Sequence, residues 1–362
     1  MEREMLKEAL GEFKNEIIDE VKTYTREEVK KMIQEQKIGK VDAAPELDAE
    51  TKKDVREFFK ALVGRDYVAL KALSEGTDSA GGYLVPEEFS AKVIDIAGQY
   101  GYVRRFGTVV PMRRDTLTIP KFSSKPAVQW VGEGGTIPAG QPSFDQVQLT
   151  AKKAALIVPV TTELFEDSGV DVANLLSKLF GEAVAKAEDE QGFTGNGTVF
   201  TGILHADGVN TVTMDAGETS FSDVSADDLI NLIAAVPSSA ADKGMFVMHR
   251  TILAKVKTLK DGNGSYLFDP KDRTIWGYPV ITSDVMPALG DSAADTPFII
   301  FGDLSYLYLG DRKKISVALA DQATVGSDNL FEKDMLALRV IERVAIAVAM
   351  PEAFAILKTA AS

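Results

Sequence analysis

Residues able to do chemistry are sparse in this chain. It has two histidines, His205 and His249, and no cysteine, so a histidine-cysteine metal cluster or a histidine-based nucleophilic triad has almost no raw material. Both histidines are expected to be surface or packing residues. The run "DGNGSYLFDP" opens like a calcium loop, with Asp261, Asn263 and Ser265 at alternate positions. It then departs from that pattern, because Tyr266 stands where the sharp turn needs glycine and Asp272 where a bidentate glutamate belongs. Glu163 and Glu166 could be imagined as an acid and base pair, but 54 acidic residues place such pairs together by accident. "GEGG" at 132–135 and "GNG" at 195–197 lack the Lys-Ser/Thr of a phosphate loop and read as turns. No cofactor, metal or catalytic constellation is expected.

The elements that would have to position any site tell more. At 362 residues, with 45% hydrophobic content, the chain is expected to hold two or three structural units. Its formal net charge of -14 argues against a surface that grips nucleic acid, where a basic stripe is the usual footprint. No window approaches the ~20 apolar residues of a membrane-spanning helix. The N-terminus shows neither the basic nor the apolar region of a secretion signal. A cytoplasmic site of synthesis and action is the expectation.

Charge divides the chain. Residues 1–76 hold 15 basic and 18 acidic side chains, and the charge density halves beyond them. Within that segment Leu6, Leu10, Phe13, Ile17, Val21 and Tyr24 recur at steps of three and four, forming one helical stripe. So narrow a stripe gains little alone in water and points to a partner helix in a coiled coil or bundle, over packing on its own domain. The stretch Ser74, Glu75, Gly76, Thr77, Asp78 and Ser79 then favours no regular structure and should be accessible to a protease.

Beyond the seam, alternation around Leu117 and Ile119, and again around Phe144, Val147 and Leu149, predicts a two-stranded ribbon with a Gly- and Pro-rich tip. A bare ribbon is marginal in water, so it should lie on another molecule. Val172, Leu175, Leu176, Leu179, Phe180, Ala183, Val184 and Ala187 predict one apolar face on a helix of roughly 33 Å, ended by Gly192 and Gly195. Residues 222–325 alternate short helices and strands, as a compact mixed domain would. The run 335–350 alternates as a strand of roughly 50 Å, with Glu342 interrupting an otherwise apolar face and Arg339 and Arg343 opposite.

These motifs resemble, in order, those of tailed-bacteriophage (Caudovirales) major capsid proteins of the Hong Kong 97 fold. "GGYLVPEEFSAKVIDI" is similar to the start of the family's mature subunit, the ribbon from Met112 to Leu149 to its E-loop, and the 171–193 helix to its spine helix. "GNGTVFTGIL", "LKDGNGSYLFDP", "IWGYPVITSDVMP" and the last strand with "PEAF" follow in family order over roughly residues 77–358. The resemblance implies an α+β fold preceded by a helical coiled-coil segment. Its divisions are a scaffolding (delta-like) segment at 1–76, an N-terminal arm at 77–111, an E-loop and its return at 112–160, and a P-domain with spine helix at 161–221. An A-domain at 222–326 and a P-domain return at 327–362 complete it.

The function implied is assembly without catalysis: pentamers and hexamers closing into an icosahedral prohead that encloses double-stranded DNA. The implied partners are further copies of the chain, a portal protein, a prohead protease acting near Ser74 to Ser79, and a decoration protein. Localisation would be the virion, assembled in the host bacterial cytoplasm. Expected inter-subunit contacts are Tyr83, Leu84 and Val85 of the arm and Trp130, Glu133, Gly134, Gly135 and Ile137 of the E-loop tip. Arg104 and Arg105 read either as an interface contact or as a solvated pair. Members that cross-link their shells use a Lys, an Asn and a Glu where this chain has Ile137, Asp334 and Ile341, which implies a non-covalent shell. An encapsulin, a cargo-enclosing compartment of the same fold, is the alternative; the charged N-terminal segment weighs against it.

Overall fold

The computed structural model describes Tyr83–Leu84 and residues 87–124, 143–163, 172–260, 263–268, 272–320, 324–326 and 328–361. The expected coiled-coil residues Leu6 to Tyr24, the seam Ser74 to Ser79, Val85 and the ribbon tip with Trp130, Glu133, Gly134, Gly135 and Ile137 lie outside them, as do Glu166 and Asp261.

In chain order the elements are β1 (Tyr83–Leu84), α1 (Glu87–Tyr100), α2 (Tyr102–Phe106), β2 (Thr108–Pro111), β3 (Thr116–Ser124), β4 (Ser143–Thr150) and β5 (Lys152–Thr161). Next come α3 (Val172–Asp189), a π-helical turn at Glu190–Thr194, β6 (Asn210–Thr213), α4 (Ala226–Ala234), β7 (Met245–Met248), α5 (Arg250–Lys257), β8 (Thr274–Ile275) and β9 (Tyr278–Thr282). The chain ends through β10 (Pro297–Gly302), β11 (Leu307–Ala320), β12 (Thr324–Val325), β13 (Asp328–Asn329), β14 (Met335–Val348) and β15 (Phe354–Lys358).

Two sheets organise these strands. The first runs β1-β11-β14-β5, with β2 also pairing β11. Its long members β11 and β14 are 14 residues each, roughly 46 Å at ~3.3 Å per residue. The second runs β6-β15-β10-β7-β9-β8. Its centre is β10, whose near-continuous apolar sequence PFIIFG is what a strand covered on both faces requires. Phe221 stacks on Phe298 at 4.3 Å and Phe246 meets Phe301 at 4.8 Å, all four fully buried. The helix α4 starts at Ser225, whose Oγ accepts from the Asp228 N–H while an Asp228 carboxylate oxygen accepts from the Ser225 N–H, a reciprocal cap.

Strand pairing draws the domain boundaries differently from the sequence. β6, within the expected 161–221 P-domain, pairs in parallel with β15 in the second sheet. β15 itself, within the expected 327–362 return, belongs to that sheet too. Conversely β11, expected inside the 222–326 A-domain, runs its length beside β14 in the first sheet. The chain therefore passes between the sheets several times, and a division into consecutive segments could not express that. The predicted ribbon is present: β3 pairs antiparallel with β4, Leu117 opposite Leu149 and Ile119 opposite Val147.

Candidate assembly surface and the charge cluster behind it

The helix α3 carries two apolar faces where the sequence suggested one. Leu176, Phe180 and Ala185 are buried. Their face meets α1 so closely that a Cβ on Gly181 would stand 2.5 Å from Ile96 Cγ2. Leu175 and Leu179, four residues apart, are 56% and 47% exposed, and Ala183 and Ala187 continue their line in the open. Ten apolar residues among the sixteen from Val172 to Ala187 span more of the helix circumference than one core contact can cover, so the expected single stripe divides.

Ala183 and Ala187, at the C-terminal end of that line, border a groove of about 380 Å³ between α3 and the β14-β5 half of the first sheet. Val340, Val344 and Ile346 line it from β14, and Ala154, Ala155 and Leu156 from β5. β5 lies at the sheet edge and is exposed from Lys152 to Ile157, although its sequence KKAALIVPVT is as apolar as a central strand. Leu156 and Ile157 are 37% and 46% exposed. An apolar edge strand with an open ladder is a pairing surface unless something covers it.

On the opposite face, the base of the ribbon is anchored to the sheet. Leu149 and Met112 pack on Ala345 of β14, with Leu117, Ile119 and Tyr308 around them. Asp115 adds ion pairs to Arg312 at 3.2 Å and Arg343 at 3.7 Å. Its root is therefore fixed while the strands lead away from it.

Arg104 is turned inward, so it is not the solvated residue that one of the two sequence readings expected. Its side chain is 8% exposed. Nε donates to Glu188 Oε2 at 3.0 Å, and Nη2 donates both to Glu188 Oε1 and to Glu342 Oε1 at 2.8 Å. Asp311 Oδ2 lies 3.8 Å from Nη1. The Glu188 and Glu342 side chains are 2% and 3% exposed. Next to Glu188, Asp189 accepts from the Tyr102 N–H at 3.1 Å and the Val103 N–H at 2.8 Å, capping α2 from the end of α3. Burial pushes Asp189 up to about 6 against those two hydrogen bonds. Burial, then the negative charge of Glu188, pushes Glu342 up to about 8 against the pull of Arg104. Burial works against the charge on Arg104, but the Glu188 hydrogen bond and the surrounding carboxylates outweigh it and hold the guanidinium charged, above its ordinary range.

Glu342 thus has its reason: the one charge in an apolar strand face answers a buried guanidinium. The interruption was visible in the sequence, but its partner lies 238 residues away. Arg105, next to Arg104, is exposed, with its guanidinium 5.2 Å from the Phe106 ring centroid. Tyr83 and Leu84 use their backbone to pair with Leu319 and Ala318 of β11 within the chain. Asp334 sits at positive φ where β14 begins, its carbonyl accepting from the Thr162 N–H, and Ile341 pairs with Ala155 of β5.

The chemical candidates resolve into structural roles. His249 caps α5, its Nδ1 accepting from the Thr251 N–H at 3.2 Å, while Nε2 lies 3.8 Å from Asp284. His205 is exposed on a 3₁₀ turn. Asn263 and Ser265 lie in a tight return in which Lys260 and Tyr266 bridge. No group of three potential metal-ligating side chains occurs among the described residues, and none of their helices is long and apolar enough to cross a membrane.

Comparison with known proteins agrees with this architecture. The model of the phage capsid family matches residues 81–359. The major capsid protein of Klebsiella oxytoca phage phiKO2 is 24% identical over 288 residues, covering 75% of this chain and 67% of the relative. That of Staphylococcus phage 80alpha is 25% identical over 279 residues, covering 74% and 82%. Among solved structures, the capsid of a native GTA particle superposes with a TM-score of 0.61 at 21% identity, covering 74% of this chain and 91% of that one. Mycobacterium phage Adephagia gives 0.56 at 22%, covering 72% and 91%. The chain belongs to the phage capsid family, as a major capsid protein of the Hong Kong 97 fold whose work is assembly rather than catalysis.

Proposed function

We propose that the subunit forms pentamers and hexamers that close into an icosahedral prohead, and that its ribbon and the apolar groove beside α3 are surfaces neighbouring copies cover. The observation that carries this is the apolar surface left open at Leu175 and Leu179 on α3 and at Leu156 and Ile157 on the edge strand β5. A stable monomer would not keep such a strand uncovered. Arg105, Tyr83, Leu84, Val85 and the E-loop tip residues Trp130, Glu133, Gly134, Gly135 and Ile137 are the proposed further contacts.

On this proposal residues 1–76 act as an internal scaffold through the Leu6 to Tyr24 stripe, and a prohead protease removes them near Ser74 to Ser79. A portal protein and a decoration protein complete the particle, and assembly takes place in the host bacterial cytoplasm. The shell encloses double-stranded DNA without sequence-specific binding, for which a net charge of -14 suits an inner wall that DNA must slide past. An encapsulin role has less support, since the relatives above are phage capsid proteins. Negative-stain electron microscopy of the full chain expressed alone tests the proposal: uniform closed shells support it, and persistent small species at high concentration, also with the cognate protease and portal present, refute it.

A further inference from the structure

The cluster around Arg104 holds more negative charge than one guanidinium can neutralise. Glu188 and Glu342 are both buried and both accept from the same Nη2. If both were ionised the pair would leave one buried charge uncompensated. Every neighbouring element adds to the excess or fails to relieve it. β11 contributes Asp311 at 3.8 Å, and α3 contributes Asp189 beside Glu188. β5 brings only Lys152 and Lys153, which line the same groove but are exposed to solvent. β14 brings Arg343, which is exposed and directed to Asp115. Two carboxyls in one site cannot both ionise without cost. Because Glu188 Oε1 and Glu342 Oε1 accept from the same Nη2, the two carboxyls are held side by side, and a proton on one of them removes the uncompensated charge.

The location gives that proton a mechanical meaning. Glu188 stands at the last turn of α3, immediately before the π-helical turn Glu190–Thr194, whereas Glu342 stands in the middle of β14. Arg104, from α2, is the bolt between them. We propose that the Arg104, Glu188 and Glu342 cluster is a proton-gated fastener, in which one proton shared by the two glutamates holds the end of α3 and the helix α2 to β14, and loss of that proton loosens them.

The sign follows from linkage. The folded chain keeps a proton on Glu342 up to about pH 8, whereas an unfolded glutamate releases it near ~4.3. The fastener's contribution is therefore complete only below the unfolded value of ~4.3, shrinks steadily as pH rises between the two values, and is gone above about 8. Asp189, raised to about 6, acts in the same direction over a lower window.

The test is the thermal midpoint of the full-length protein from pH 5 to 9, at fixed concentration and ionic strength, for the parent, E342Q and the control E163Q. Glu163 is exposed and outside the cluster. The amide introduced by E342Q keeps the shape and the hydrogen bond without a titrating proton. The expected result is a midpoint that falls with pH in the parent and in E163Q but is flatter in E342Q, opening a gap of several degrees by pH 9. A parent slope unchanged in E342Q overturns the proposal. Should E342Q fail to fold, infrared spectroscopy of the parent decides it. A protonated-carboxyl stretch present at pH 7, lost at pH 9 and shifted in E188Q supports the shared proton, and absence of that band at pH 7 overturns it.

Discussion

Replacing Arg104 by methionine separates a buried ion cluster from an ordinary surface arginine. Methionine retains much of the aliphatic volume but removes the donors to Glu188 and Glu342, whose side chains are 2% and 3% exposed. Removing one partner of a buried pair costs about 3 to 5 kcal/mol, because the other charge is left unpaired. The carboxyls can escape part of that by taking up protons, so the upper end applies at alkaline pH and the lower near pH 5. For a body of this size ~1 kcal/mol corresponds to ~2 to 4 °C, so R104M should lower the thermal midpoint by about 10 °C at pH 8. Scanning calorimetry of R104M and of R104M/E342L at equal protein concentration is the assay. The double variant removes one of the two stranded carboxyls and should recover several degrees. A single variant within about 2 °C of the parent, or a double variant less stable than R104M, would refute the reasoning.

Gly181→Val places a methyl-bearing Cβ against Ile96 and the Val93 carbonyl, 2.5 and 3.1 Å away, and should destabilise the α1 and α3 pair by about 2 to 3 kcal/mol, measured by denaturant unfolding. Leu175→Asp with Leu179→Asp alters only exposed positions, so the fold should hold within about 0.5 kcal/mol while sedimentation shows shells replaced by small species; intact shells would remove this face from the interface. On the proposed correspondence of Ile137, Asp334 and Ile341 to the positions that other members cross-link, mature particles should run as single subunits on a boiled denaturing gel, and a ladder of covalent oligomers would contradict this. Mass spectrometry of particle protein should find the N-terminus between Ser74 and Ser79, an intact Met1 being the contrary result.

The sequence by itself determined the local elements, because their causes are local. Alternation at Leu117, Ile119, Val147 and Leu149 was enough to predict the ribbon that β3 and β4 form, and the short alternating runs over 222–325 were enough to predict helices and strands there. The order of its motifs was enough to identify the family. Only the tertiary structure decided which apolar face of α3 meets α1 and which stays open, since periodicity records that a side chain is apolar without recording what covers it. Only it decided that β11 leaves the expected A-domain for the first sheet while β6 and β15 join the second, because strand partnership is a long-range choice. Arg104 shows the limit most clearly. A charge in a short helix reads as solvated until Glu188 and Glu342, 84 and 238 residues further along, are brought to the same guanidinium. Burial then turns three ordinary surface residue types into a single coupled unit, because removing water makes their mutual charge the dominant energy.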